Sequence, residues 1–436
     1  MNSLLNKNLV LALLFLAALT ACSPEKSGDE GQSGPDDAGQ AQSSTDTTDQ
    51  GEKPATGVSC TGSKGLTPYC GFKNPEDIVL VPDGKQLIVS EMGEFMMDSP
   101  GSLSLFDLAG NRKLPIHIDW QVGSSNWGQA ECSAPDPILF SPHGIDLVQR
   151  ADGAHSLLVV NHGGRESVEM FELANTAGTW SLSWRGCVLP PEDPFINDVS
   201  GLNNGGLLVT HMWNKSLTME QITEKFSKGE NLGWVWEWHP DNGFSKLAGS
   251  DQLMPNGIAV SKDNTKVYVN IYLGNKTIKI DKATGTIEAT FEVRQPDNVV
   301  LDNDGILWVA SHQHDPINEN CNDVKEGPCL LPFAIVRADS ETMAAQTVLT
   351  RDGEPMGYAT VAFPAGDRLF MGSAHGDRIV SVPITQVNPI ALVPVADAGA
   401  DTMATEEAPS QETTTEEASA EEAPVEEASP EAPTEP

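Results

Sequence analysis

The sequence predicts an all-β chain built as a six-bladed β-propeller, with a disordered N-terminal tether and an acidic C-terminal tail. Three observations carry this. One phrase recurs six times through the middle of the chain. Each copy alternates apolar and polar residues around a tight turn. The composition changes abruptly at both ends.

The ends come first because they bound the folded part. The chain has 436 residues and a formal net charge of -36. Met1 to Ala21 carries Lys7 and then an apolar run, Leu9 to Ala18, too short to cross a bilayer. It reads as a secretion signal. Residues 23–56 are rich in Ser, Gly, Asp, Gln and Thr, with eight acids and two lysines, and read as a solvated tether. Residues 397–436 hold thirteen acids and no Lys or Arg, in a loose Glu-Glu-Ala repeat broken by prolines. Such a tail repels itself and builds no core. Residues 57–396 remain for the propeller, with a net charge of -18. That surface disfavours nucleic acid and suits cations.

The copies are NPEDIVLVPDGKQLIVS from Asn74, SPHGIDLVQRADGAHSLLVVNH from Ser141, INDVSGLNNGGLLVTH from Ile196, MPNGIAVSKDNTKVYVN from Met254, QPDNVVLDNDGILWVAS from Gln295 and MGYATVAFPAGDRLFMGS from Met356. In each, aliphatic residues at period two flank an Asp, Asn or Gly turn, as in a β-hairpin. The copies are spaced by roughly 40 to 70 residues, enough for two further strands, for example within residues 278–293. Four strands per repeat and six repeats make the propeller. The one helical stretch expected lies near Met219–Lys228. In LGWVWEWHP, Trp234, Trp236 and Trp238 share one strand face and are expected to pack between blades.

The innermost strand of a propeller blade starts near the central channel. The residues just ahead of each aliphatic run are Glu76 and Asp77, His143, Asn197 and Asp198, Asn256, Asp297 and Asn298, and Gly357 to Thr360. Singly, Asn and Asp at strand starts cap turns. Together, in one register around one axis, they form a cage of oxygen donors that fits a hard cation. Ca²⁺ takes about 6–8 oxygens, whereas Mg²⁺ keeps more of its waters.

Six cysteines follow the leader: Cys60, Cys70, Cys132, Cys187, Cys321 and Cys329. An exported chain forms disulfides. Among the possible pairings, local closure favours Cys60–Cys70 and Cys321–Cys329, leaving Cys132–Cys187 by elimination. His312 and His314 sit two apart without a third ligand, a weak metal signal. Ser141 lacks the elbow motif of a serine hydrolase.

Two resemblances add to this. Leu19-Thr20-Ala21-Cys22 resembles the bacterial lipobox, which implies lipidation of Cys22. With Ser23 next to it, this points to an exported lipoprotein held at the outer membrane of a Gram-negative cell, touching membrane through that anchor alone. Within residues 73–384, PHGI, LLVVNH, NDV, NGI and PDNV resemble, in that order, the calcium-dependent paraoxonase/arylesterase family among the gluconolactonase-like six-bladed propellers. The resemblance implies two central Ca²⁺ ions. Glu76, Asn197, Asn256, Asp297 and Asn298 match ligands of a catalytic ion. Asp77, Asp198 and the backbone carbonyl of Ile145 match those of a structural ion. His143 and His162 match a histidine pair that activates water.

The implied activity is hydrolysis of small-molecule lactones or carboxylic (aryl) esters, against a sugar-lactone hydrolase or a non-catalytic, calcium-stabilised binding propeller. The chain departs from the family in three places. No Cys follows Cys329, so the ring must close by pairing residues 57–70 with a last strand near Arg378–Ile384. Ser311 stands where the family has a free thiol. His211-Met212-Trp213 replaces a polar run.

Overall fold

A computed structural model describes residues 57–94, 99–121, 126–316 and 318–387. The expected leader, lipidated Cys22, tether and acidic tail lie outside these residues.

Within them the chain forms six antiparallel sheets, each a blade. Their inner strands are Pro75–Leu80 (blade I), Pro142–Gln149 (II), Pro194–Gly201 (III), Pro255–Val260 (IV), Pro296–Leu301 (V) and Ala359–Ala365 (VI). Each belongs to one copy of the sequence phrase. Inner strands touch in the order I to VI and VI touches I, which closes the ring. Five blades have four strands. Blade II has a fifth, because His117–Asp119 adds in parallel to the outer strand Thr179–Val188. The hairpin pattern in the sequence gives no sign of that short edge strand.

Blade VI is completed from the far end of the chain. Thr67–Cys70 pairs antiparallel with Arg378–Pro383, with Thr67 opposite Ser381 and Cys70 opposite Arg378. The expected closure without a terminal disulfide is therefore present. Arg378, buried to 1% exposure, stands at this join. Its guanidinium donates to the carbonyls of Val58 (2.8 Å), Ser59 (3.0 Å) and Pro355 (3.3 Å). The disulfides pair as local closure favours: Cys60–Cys70, Cys132–Cys187 and Cys321–Cys329.

The core is a set of layers between neighbouring blades. Leu158, Val160, Val168 and Met170 of blade II meet Val199, Val209, Trp236 and Trp238 of blade III. Trp236 and Trp238 thus pack between blades, while half-buried Trp234 stacks on His211 with centroids 3.9 Å apart. Ile78, Val89 and Phe106 of blade I meet Val361, Phe370 and Ile379 of blade VI. Burying one such side chain contributes about 1.5–3 kcal/mol, so each layer outweighs any single polar contact in the ring.

The expected helix spans Met219–Ser227. Thr218 caps it, and Gln221 returns a side-chain bond to the Thr218 N–H. Ile222 and Phe226 pack on Phe195, Met212 and Trp213 of blade III, which seats the helix at the end of the sheet where the inner strand begins.

Candidate functional site

All six inner strands share one irregularity. Their pairing with the second strand shifts register near where the strand begins: Pro75/Asp77, Pro142/Ile145, Ile196/Val199, Pro255/Ile258, Pro296/Val299 and Ala359/Val361. A bulge bends the strand and re-aims its side chains. The polar residues singled out in the sequence lie on these bulges.

The first bulge position carries Glu76, His143, Asn197, Asn256, Asp297 and, in blade VI, Thr360. The structure links them across the ring. Asn298 Nδ2 donates to Glu76 Oε1 (2.8 Å) although 222 residues separate the two. His143 Nε2 lies 3.6 Å from the same oxygen and 3.5 Å from Asn197 Nδ2. The Asn256 side chain bonds the Asp297 carboxylate. Thr360 Oγ1 donates to the Glu76 carbonyl (2.7 Å), so blade VI braces Glu76.

The second position carries Asp77, Gly144, Asp198, Gly257, Asn298 and, in blade VI, Val361. Asp77 accepts from Ile78 N (2.8 Å) and from Ile145 N (2.7 Å) of blade II. Asp198 accepts from Val199 N (2.8 Å) and from Ile258 N (2.8 Å) of blade IV. Ile145, expected to offer a carbonyl, thus presents its N–H to Asp77.

Four buried oxygens in this network have no hydrogen-bond partner: Glu76 Oε2, Asn197 Oδ1, Asn256 Oδ1 and Asn298 Oδ1. They come from blades I, III, IV and V. An unmet buried acceptor costs about 1–3 kcal/mol, and a bound cation or a hydrogen-bond donor would satisfy these four. The carboxylates agree. Burial first, and neighbouring carboxylates second, push Asp77, Asp198 and Asp297 well above the usual range. Among the described residues, neither Lys nor Arg pairs with Glu76, Asp77, Asp198 or Asp297; the nitrogens near them are those of His143, 3.6 Å from Glu76, and His312, 3.3 Å from Asp297. No three His, Cys, Asp or Glu side chains among the described residues cluster as a metal site. The converging donors here are mainly amide oxygens, the set a hard cation accepts and a thiol- or imidazole-seeking metal does not.

Beside the oxygens stands the histidine pair. His143 Nδ1 and His162 Nε2 are 2.7 Å apart. His162 Nδ1 in turn meets Glu166 Oε2 at 2.9 Å. Burial lowers the His162 pKa, partly offset by Glu166. A parallel stack continues outward from His162 to Phe195 (4.8 Å) and from Phe195 to Trp213 (4.9 Å).

The arylesterase family model matches residues 72–379, the whole ring apart from Thr67–Cys70 and most of the last strand, Arg378–Pro383. The chain belongs to the arylesterase family. Membership supports a hydrolase. This arylesterase-family chain is 25% identical over 248 residues to human serum paraoxonase/arylesterase 1, covering 54% of its own length and 66% of that relative's. Among solved structures it is similar to a luciferin-regenerating enzyme (13% identity, TM-score 0.44, 72% of this chain and 93% of that one). It is also similar to a gluconolactonase from Xanthomonas campestris (16% identity, TM-score 0.41, 73% and 88%).

The arylesterase-family site has a second wall that spacing alone did not reveal. His312 Nε2 lies 3.3 Å from Asp297 Oδ2, and its Nδ1 is 2.9 Å from Tyr272 Oη. Tyr358 stacks on the His312 ring at 4.2 Å. Burial, with His314 nearby, brings His312 down to about 3, so it is neutral at pH 7. His312 therefore belongs to the wall around Asp297. Glu166 and Tyr272 carry no site signal in the sequence, while Tyr358 and Thr360 fall within the sixth strand opening, Gly357 to Thr360. No motif surrounds them; only the ring brings them to the channel.

Proposed function

We propose that this protein hydrolyses lactones or carboxylic (aryl) esters with Ca²⁺ held by the channel oxygens. One observation carries the reading: four partnerless buried oxygens from four blades lie beside a hydrogen-bonded imidazole pair. Glu76, Asn197, Asn256, Asp297 and Asn298 would hold a catalytic ion. Asp77, Asp198 and the Ile145 carbonyl would serve a second, structural one. Bound there, a hard divalent cation supplies Lewis acidity toward a carbonyl oxygen and stabilises the charge that water attack develops on it.

The chain's own residues handle the proton. With His143 Nδ1–H donated to His162 Nε2, the lone pair of His143 Nε2 faces the side of Glu76 and Asn197. That nitrogen takes the proton of the attacking water. The excess proton leaves His143 through Nδ1 to His162, whose far side rests on Glu166. Buried walls of Phe195, His312 and Tyr358 limit water access and strengthen these interactions.

The expected export and anchoring through Cys22 form part of the same proposal, and three disulfides support an oxidising compartment.

Hydrolysis of phenyl acetate and of a panel of aliphatic and sugar lactones, with Ca²⁺ and with chelator, tests the reading. Calcium-dependent turnover that Asn256→Ala or Asp297→Ala abolishes in a folded protein is expected. A wild-type protein that binds Ca²⁺ yet turns over none of the panel would instead be a binding propeller.

A further inference from the structure

Glu166 lies in the turn after the second strand of blade II, four residues beyond His162. Its carboxylate has three partners. Oε2 meets His162 Nδ1 at 2.9 Å and accepts from the Ile196 N–H at 3.3 Å. Oε1 accepts from Lys215 Nζ at 2.9 Å. Ile196 and Lys215 belong to blade III, and Ile196 immediately precedes Asn197. The Glu166 side chain is 6% exposed, against 42% for Lys215, so a shielded carboxylate joins the histidine pair to the neighbouring blade.

A carboxylate accepts hydrogen bonds and does not donate them. Facing Glu166, His162 Nδ1 must carry a hydrogen, and its Nε2 is then the acceptor turned toward His143. Fixing one imidazole nitrogen by a carboxylate is a general way to set which tautomer is present. We propose that Glu166 is a positioning residue that fixes the tautomer and ring orientation of His162, and thereby the direction in which His143 passes its proton, with Lys215 and the Ile196 N–H holding the carboxylate in place.

The proposal rests on the hydrolase reading for its kinetic consequence but not for its structural one. Burial would raise the Glu166 carboxyl, yet the His162 ring and Lys215 outweigh burial and leave it below the usual range, ionised at neutral pH. His162 is lowered and so is neutral there, which makes its tautomer observable. The groups facing His162 are His143 from the inner strand of blade II, Glu166 from its turn and Lys215 from blade III.

The test uses the full chain with Ca²⁺ and imidazole ¹⁵N spectra at neutral pH, alongside phenyl acetate kinetics. Wild-type His162 is expected to be protonated at Nδ1, and Glu166→Ala to give a tautomer mixture. Glu166→Gln, whose amide oxygen still accepts, restores the tautomer. In the same series Glu166→Ala lowers kcat about 10- to 100-fold with KM nearly unchanged. In a His162→Gln background the same change alters kcat by less than about 2-fold, because the residue acts through His162.

An equal loss of kcat in both backgrounds would show a merely structural role and overturn the proposal, as would an unchanged His162 tautomer in Glu166→Ala. Should wild type hydrolyse none of the panel, the hydrolase reading fails while the ¹⁵N spectra still decide whether Glu166 sets the tautomer.

Discussion

A neutral imidazole has one donor and one acceptor nitrogen, so the partner on one side dictates what the other side can do. For His143 the Nδ1 side is taken by His162 at 2.7 Å, and Nε2 is left toward Glu76 and Asn197. Replacing His143 with Gln keeps hydrogen-bonding capacity but removes the proposed base. The expected result is a fall in kcat of about 10²–10⁴-fold with Ca²⁺ affinity retained, measured by ester hydrolysis and calorimetric titration. Equal kcat in wild type and His143→Gln would assign proton transfer elsewhere. At this scale the sequence was a partial guide. Glu76, Asn197, Asn256 and Asn298, whose oxygens are left without partners, were legible because each opens a copy of one phrase. Glu166 was not, because a carboxylate four residues after a histidine has no meaning until the turn folds it back onto the ring. The hydrogen bond of Asn298 to Glu76 was equally hidden, since it exists only when blade V stands opposite blade I.

Among elements, the inner strand decides the geometry, and its two special features have no sequence code. Strict alternation sends successive side chains to opposite faces of a strand. Glu76 nevertheless reaches Asn298 while Asp77 reaches Ile145, both across the channel side of the ring, because the bulge breaks the alternation there. Entry into the strand is also forced. Asn74, Met254, Gln295 and Tyr358, immediately ahead of four inner strands, have φ of 45°, 62°, 39° and 52°. Three of these are residue types that seldom adopt that region, so propensity could not announce the turns. What the sequence does show is the glycine in PHGI and PNGI. A Cβ on Gly257 would lie 2.5 Å from Asp297 O and 2.6 Å from Asn298 Cα, both backbone atoms of the neighbouring inner strand. Gly257→Ala must therefore push blade IV from blade V and spread Asn256 from Asp297. Calcium affinity is expected to fall about 10-fold or more, with a lower Tm, in titration and thermal unfolding. Unchanged affinity in a folded Gly257→Ala protein would mean that the spacing of blades IV and V does not set the cation site.

Over the whole molecule, the ring has two independent locks, and they can be separated. One is a hydrogen-bonded seam: Thr67–Cys70 completes blade VI, and buried Arg378 ties that join to Val58, Ser59 and Pro355. The other is the oxygen cage, whose proposed ligands come from blades I to V, while blade VI has Thr360 at the first bulge position and spends it on the Glu76 carbonyl. Arg378→Met removes the donors and leaves the buried Pro355 carbonyl without this partner, at a cost of about 1–3 kcal/mol, while the Val58 and Ser59 carbonyls lie nearer solvent. Chelation acts at the other lock. A ligand bound only by the folded state stabilises it by about 2.7 kcal/mol at 100 times its Kd, so withdrawing the proposed Ca²⁺ is expected to lower Tm by an amount that grows with the calcium concentration removed. The two perturbations share no residue, and distant independent sites add. Arg378→Met is therefore expected to lower Tm by the same amount with and without chelator, while leaving calcium affinity and kcat at 25 °C near wild type. A strongly non-additive result, or loss of calcium binding in Arg378→Met, would show that the seam in blade VI and the cage are one cooperative structure rather than two.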